Sequence, residues 1–188
     1  MEKILFAIIL SAVAVGCASK VSSVEENAPE IAACFEGAPE WAISGAAEGG
    51  LSAVGMAKIG KAGINFARTE ALANGRDEIA RILSIKVNNM FKNFTQTTGI
   101  GDEETVDRVA ASVSKQVASQ MISGSKQFAS WVSPCNELYI LVAVDTQIAQ
   151  EAVISQSVSS FKNNEALWQQ YVAEKGQEEL EKAVKELF

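Results

Sequence analysis

Apolar side chains recur every three or four positions between Ile64 and Phe94, which is the spacing of one face of an amphipathic helix. The first half of this face carries small residues at four-residue intervals, namely Ala67, Ala71 and Gly75, and the second half carries bulky ones. Small side chains let a helix backbone approach a sheet closely. We therefore predict a long helix whose N-terminal half packs on strands and whose C-terminal half fills a wider space.

A second helix and a helical C-terminus are predicted by the same period. Acidic residues 102–104 precede an apolar stripe that runs from Val106 to Val117, and the helix dipole favours negative charge at a helix N-terminus. After Asp145 the chain has a helical pattern to its end, and we expect a bend at residues 162–164.

Three further segments have strand patterns. Residues 51–59 are bounded by glycines, residues 121–133 alternate polar and apolar side chains, and residues 138–144 are apolar throughout. The five-residue turn between the last two predicts a hairpin. The order strand, helix, helix, strand, strand, helix predicts the α+β class: a small antiparallel or mixed sheet packed by two long helices, with an extended C-terminal helix.

The first 16 residues predict a lipoprotein signal peptide. Lys3 precedes an apolar run, residues 4–16, which is shorter than the roughly 20 residues that span a bilayer and ends in small residues. Cys17 follows directly, as in the bacterial lipobox; the alternative is an ordinary secretory signal with an incidental cysteine. We expect Cys17 to carry a diacylglyceryl group and an N-acyl chain such as palmitate. Together they would anchor the protein stably, whereas a single acyl chain gives only marginal binding.

The residues after Cys17 predict the destination and the domain boundaries. Ala18 and Ser19 differ from the aspartate that retains lipoproteins at the inner membrane, so we expect anchoring in the outer membrane, on its periplasmic or its surface face. Residues 17–37 then form the lipidated cysteine and a tether. Residues 38–150 form the α+β domain, and residues 151–188 form a C-terminal helical extension.

The composition of the 188-residue chain excludes several kinds of catalytic and metal site. It contains no histidine and three cysteines, which excludes Ser-His-Asp and Cys-His catalysis, histidine-ligated zinc and four-cysteine metal sites. The formal net charge of −7 argues against a nucleic-acid partner. The carboxylates at 102–104 and 107 are interpreted as helix N-terminal charge rather than as a catalytic pair or a calcium loop. We expect no catalytic residue, no cofactor and no metal site.

Two cysteines remain once Cys17 is acylated. In an oxidising compartment Cys34 and Cys135 are candidates for a disulfide bridge. Two separate reduced thiols are the alternative, because the sequence gives no distance between them.

The C-terminal segment carries an incomplete apolar stripe formed by Leu167, Tyr171, Leu180, Val184 and Leu187. Leu167, Trp168 and Tyr171 are a candidate partner surface, and docking of this helix on its own domain is the alternative. We expect a second copy or an envelope protein to cover the stripe. On that hypothesis a chain that ends at Asn163 would still fold.

Several segments resemble the Lpp-twenty lipoprotein family. They are Pro39-Glu40-Trp41, the strand at residues 53–57, the helix at residues 67–80 and the hairpin strand at residues 138–145. The resemblance covers residues 38–150 and supplies no catalytic residue. It implies a membrane-attached, non-enzymatic protein; some members are surface-exposed antigens and some are linked to flagella.

The expected function is that of a lipid-anchored, non-enzymatic binding or envelope-structural module, with flagellar or envelope assembly as the more specific role that the resemblance suggests. Its partners would be the lipid bilayer, through Cys17, and a second copy or an envelope protein. The alternative is a periplasmic hydrolase or small-ligand carrier with a pocket between helices and sheet.

Overall fold

The computed structural model of the chain describes residues 28–45 and 51–188, so the signal peptide and Cys17 lie outside the described residues. Within these ranges the chain forms helices and strands in the following order: α1 (Ala28–Cys34), α2 (Glu40–Ser44), β1 (Leu51–Lys58), α3 (Ile64–Thr98), α4 (Glu103–Gly124), β2 (Lys126–Val132), β3 (Glu137–Val144), α5 (Thr146–Lys162), α6 (Glu165–Ala173) and α7 (Gly176–Leu187). The α+β class and the predicted order are confirmed.

The three strands form an antiparallel sheet in the order β1-β3-β2. β3 is the central strand, which explains why its sequence is apolar on both faces. Its register with β1 runs from Leu51 opposite Val144 to Lys58 opposite Glu137. Alternate residues of the two strands therefore share the face that the long helices cover. β2 is an edge strand with a register shift between Gln127 and Ala129.

α3 lies against β1 and β3 with its small-residue face, as predicted. Ala67 and Ala71 are fully buried. At Gly55 of β1, an added Cβ atom would lie 1.8 Å from the carbonyl oxygen of Ala71 and 2.4 Å from the backbone nitrogen of Gly75. An added Cβ on Gly75 would lie 2.8 Å from a methyl carbon of Val142 in β3. The two glycines thus bring the helix and strand backbones into direct contact.

Replacing Gly55 with alanine should destabilise the domain. Backbone atoms surround the new methyl group on the α3 side, so no side-chain rotation relieves the overlap and the helix has to move away from the sheet. Overpacking of this kind costs about 1–3 kcal/mol, and we expect the upper end of that range. Urea unfolding checks the prediction, with Gly124→Ala as the control because an added Cβ there meets no atom within 4 Å. Equal unfolding midpoints for the two variants would contradict it.

The helical layer is built on the bulky half of α3. α4 packs on α3, and α5 packs on α4. Phe91 and Phe94 of α3 meet Phe161 of α5, with ring centroids 6.0 Å apart in both pairs. All three rings are buried, and aromatic pairs at this distance stabilise a core beyond the area that they bury.

Three sequence-based boundaries need correction. The segment 121–133 is not one strand, because α4 continues to Gly124 and β2 begins at Lys126. The tether predicted for residues 17–37 contains a helix, α1. The helical C-terminus bends at residues 163–164 as expected, but it breaks a second time at Lys175, whose φ angle is 52°.

Candidate functional site

The first candidate site is the face of the sheet opposite to the one that α3 covers. The N-terminal residues of the described chain pack on this face. We call residues 28–45, which contain α1 and α2, the strap. A disulfide bond between Cys34 and Cys135, with Cα atoms 5.2 Å apart, joins the strap to the turn between β2 and β3. The structure therefore contains the bridge and not the alternative of two free thiols.

Aromatic side chains pack beside this bridge. The Phe35 ring lies 6.5 Å from the Trp131 ring and 6.0 Å from the Tyr139 ring, and the last two rings are 5.2 Å apart. Tyr139 is 6% exposed, and its hydroxyl donates a hydrogen bond to Glu137 over 3.1 Å. Sequence reasoning missed Phe35, although its position next to a bridging cysteine was a signal that it would be held against the sheet.

Trp41 lies on α2, the second helix of the strap. It is partly buried, and the following residue, Ala42, is buried. α2 contacts β3, and Phe35 of the strap meets Tyr139 of the same strand, so the strap covers part of β3. Ile31 and Ile43 on the strap point outward and are 54% and 65% exposed.

The prediction that Leu167 and Tyr171 form a partner surface is wrong for these two side chains. Both are 3% exposed, because α6 and α7 fold back onto α3 and α5 of the same chain. The Tyr171 ring lies 4.9 Å from that of Phe161, and its hydroxyl donates a hydrogen bond to Gln177 over 2.6 Å. Trp168 is partly exposed; it stacks on Tyr171, and the Lys162 ammonium lies 5.2 Å from the centre of its ring.

Burial raises the pKa of Tyr171 to about 12, and the carboxylate of Glu181 adds to this effect. The phenol should therefore stay neutral up to a higher pH in the folded chain than in the unfolded chain, where its pKa is about 10. Its contribution to stability is complete below pH 10 and is lost as the pH rises towards 12.

Absorbance at 295 nm against pH measures this titration directly. The chain has two tyrosines, and the pKa of Tyr139 is also raised, by burial and by its bond to Glu137. The variant Tyr171→Phe should remove the later of two steps. A single step near pH 10 for the native protein would refute the prediction.

The acidic cluster at the start of α4 has a structural role. Asp102 accepts hydrogen bonds from the backbone N–H and the hydroxyl of Thr105, and these bonds lower the pKa of its carboxyl group. Glu104 pairs with Arg108 one turn further along the helix. The carboxylates thus cap and charge a helix N-terminus, as interpreted from the sequence.

The clefts that we find lie between helices. One of about 330 Å³ is lined by Lys92, Thr95, Gln96, Glu103, Val106 and Asp107 of α3 and α4. The Thr95 hydroxyl is buried there and has no hydrogen-bond partner among the described residues. Within residues 28–45 and 51–188, no group of three His, Cys, Asp or Glu side chains is arranged to hold a metal ion. In the same part of the chain, no helix is both long and apolar enough to cross a membrane.

A family model described as LPP20 lipoprotein matches residues 39–145, which is more than half of the chain. The chain belongs to the LPP20 lipoprotein family. It is thus a member of a family of membrane-associated lipoproteins. No curated protein matches the chain.

The matched region of this LPP20 member begins at the residue before α2 and ends at the residue before α5. It contains the sheet, α3 and α4, and it includes Cys135 but not Cys34. The bridge thus connects the family domain to a segment that precedes the match in the sequence, as Cys17 also does.

Proposed function

We propose that this protein is a bacterial outer-membrane lipoprotein, anchored by acyl chains on Cys17, whose domain is a non-enzymatic binding or envelope-structural module. The observation that carries the proposal is the position of Cys17 directly after an apolar, small-residue segment in a member of a lipoprotein family. Two acyl chains make such attachment stable.

The structure supports this proposal by the way that the strap is held. Residues 18–27 separate Cys17 from α1, and 11 peptide steps of at most about 3.6 Å place Ala28 within about 40 Å of the anchor. Six residues after Ala28, the disulfide fixes the strap to the sheet. A domain attached in this way stays close to the bilayer, with the strap as its point of attachment.

A binding or structural role agrees with the positions of several polar side chains, which bond to the backbone of the fold. Asp102, Asp145 and Asn164 cap α4, α5 and α6, respectively. Ser157, which is fully buried, donates its hydroxyl to the carbonyl oxygen of Val153. These side chains hold helices in place, and assistance in flagellar or envelope assembly is the role that family membership suggests.

The variant Cys17→Ser tests the anchor. Cells fed an alkyne analogue of palmitate should label the native protein, and the variant should lose the label and move from the membrane fraction to the periplasmic fraction. The double variant Cys34→Ser/Cys135→Ser is the matched control, because it removes two cysteines and should keep the label. A labelled, membrane-bound Cys17→Ser protein would refute the proposal.

The binding role is tested by crosslinking in cells, followed by affinity purification of the acylated protein and mass spectrometry. The Cys17→Ser protein serves as the control for contacts that require membrane attachment. We expect an envelope protein that is enriched with the native chain and lost with the variant. Identical crosslinked species for both proteins would contradict a role that depends on the anchor.

A further inference from the structure

The chain enters the domain at one identifiable end. α1 ends at Cys34, which is bonded to Cys135 in the turn between β2 and β3. The next residue in that turn, Asn136, accepts a hydrogen bond of 2.8 Å from the backbone N–H of Ile59, which follows β1. The disulfide, the β2–β3 turn and the connection from β1 to α3 therefore lie together at this end of the sheet.

The connection at this end has an exposed surface of mixed apolar and basic character. We call residues 58–66, which run from the end of β1 to the first turn of α3, the entry loop. Ile64 and Phe66 are 44% and 60% exposed, and Lys58 and Lys61 are exposed as well. The sequence from Gly55 to Arg68 contains no carboxylate. Among the described residues, the acids near this end include Glu36 on the strap, Glu137 opposite Lys58 and Glu70, one helical turn after Phe66.

The opposite end of the molecule has the other charge. α3 has 35 residues and is about 51 Å long at 1.5 Å per residue, and its C-terminus lies far from the entry loop. The backbone N–H of Gly101 donates to Gln170 there, and Glu179 and Glu186 of α7 lie beside the last turns of α3. Carboxylates outnumber basic residues on α4 and the last two helices: acids stand at positions 102, 103, 104, 107, 165, 174, 178, 179, 181 and 186, and bases at positions 108, 115, 175, 182 and 185.

We propose that the entry loop rests on the phospholipid surface, with Ile64 and Phe66 at the level of the headgroups and acyl-chain boundary and with Lys58 and Lys61 facing phosphate groups. This inference rests on the proposed anchoring through Cys17. Two observations point to lipid as the occupant: the chain from the anchor enters at the same end, and charge complementarity favours the basic loop over the acidic end beside anionic headgroups. The long axis of α3 then points away from the bilayer.

An environment-sensitive fluorophore on a single introduced cysteine tests this orientation. With Cys17 acylated and Cys34 bonded to Cys135, the full-length protein offers no other thiol to the label. Ala62→Cys places the label in the entry loop, and Thr97→Cys places it near the far end of α3, both at exposed positions. The acylated proteins are reconstituted in vesicles of phosphatidylethanolamine and phosphatidylglycerol.

We expect the label at residue 62 to lose quenching by aqueous iodide and to gain quenching by brominated acyl chains, relative to the protein in detergent. The label at residue 97 should keep full quenching by iodide. Adding Ile64→Ser and Phe66→Ser to the Ala62→Cys protein should restore iodide quenching, because these exposed side chains would hold the loop at the interface. Circular dichroism checks that this variant is folded.

Flotation of the vesicles on a density gradient distinguishes a failure of the entry-loop contact from a failure of the anchoring through Cys17. A protein that floats with the vesicles while both labels are equally quenched by iodide keeps its anchor and overturns the contact of the entry loop. A protein that does not float overturns the anchoring, and with it the contact. Protection at residue 97 instead of residue 62 overturns the orientation.

Discussion

A chain that ends at Asn163 should fail to form the native domain. The truncation removes α6 and α7, including five buried side chains: Leu167, Tyr171, Leu180, Val184 and Leu187. It also uncovers Phe161, which contacts Tyr171, and Phe94, which lies beside α7. Burial of a large apolar side chain stabilises a fold by about 1.5–3 kcal/mol.

The expected loss in stability is therefore on the order of 5 kcal/mol or more, which is comparable with the whole free energy of unfolding of a small domain. Near-UV circular dichroism and a thermal melt measure it. The expected result is loss of the cooperative transition and aggregation through the uncovered aromatic rings. A soluble truncated protein with a native melting temperature would show that α6 and α7 are dispensable.

Point variants in the full-length chain separate this effect from that of shortening the chain. Leu180→Ala removes a fully buried side chain of α7 and should cost about 2–5 kcal/mol. Val172→Ala, on α6 and 60% exposed, is the matched control and should change stability by less than about 0.5 kcal/mol.

Removal of the disulfide has the second large expected effect. Cys34 and Cys135 are 101 residues apart, and in the chain-entropy model a closed loop of this size contributes about 4.7 kcal/mol. The double variant Cys34→Ser/Cys135→Ser should therefore unfold at a clearly lower urea concentration than the native protein. We also expect protease sites on the strap to become accessible, because the bridge ties α1 to the sheet.

Reduction offers an internal control for this prediction. Dithiothreitol should lower the stability of the native protein to that of the double variant and should leave the variant unchanged. A thiol assay on the unreduced native protein, denatured for the measurement, should detect no thiol from Cys34 or Cys135. Two reactive thiols, or no change in the urea midpoint on reduction, would rule out the bridge as a stabilising element.

The sequence predicted those parts of the fold that a local pattern determines. The face of α3 was recognisable because Ala67, Ala71 and Gly75 repeat every four residues, and the small side chains had a single physical use, which was close contact with a sheet. β3 was recognisable because seven apolar residues in succession fit a strand that is covered on both faces. A boundary was missed at Met121, which continues the helical stripe of Val113 and Val117 and also begins the alternating pattern of β2.

The wrong prediction for α6 and α7 and the undecided pairing of the cysteines have a different cause. The stripe of α6 and α7 was visible in the sequence, but its cover depends on the three-dimensional arrangement of α3 and α5. The pairing of Cys34 with Cys135 depends on a distance that no local pattern encodes. α1 is a seven-residue helix, which is too short to be stable by itself, and its attachment to the sheet comes from the bridge.

The order of the three cysteines along the chain has a consequence for biogenesis. If the chain is exported from its N-terminus as proposed, Cys34 would reach an oxidising compartment well before Cys135, and the thiol nearest to it in sequence would be that of Cys17. An early bridge between these two would leave Cys135 without its partner. The proposed thioether bond from Cys17 to the diacylglyceryl group would remove the Cys17 thiol from exchange, since exchange requires a free thiolate. Lipid attachment would thus leave Cys34 and Cys135 as the one pair of cysteines that can form a disulfide. If lipidation were blocked, chains that keep Cys17 would form a mixture of disulfides, whereas chains with Cys17→Ser would form the Cys34–Cys135 bridge alone.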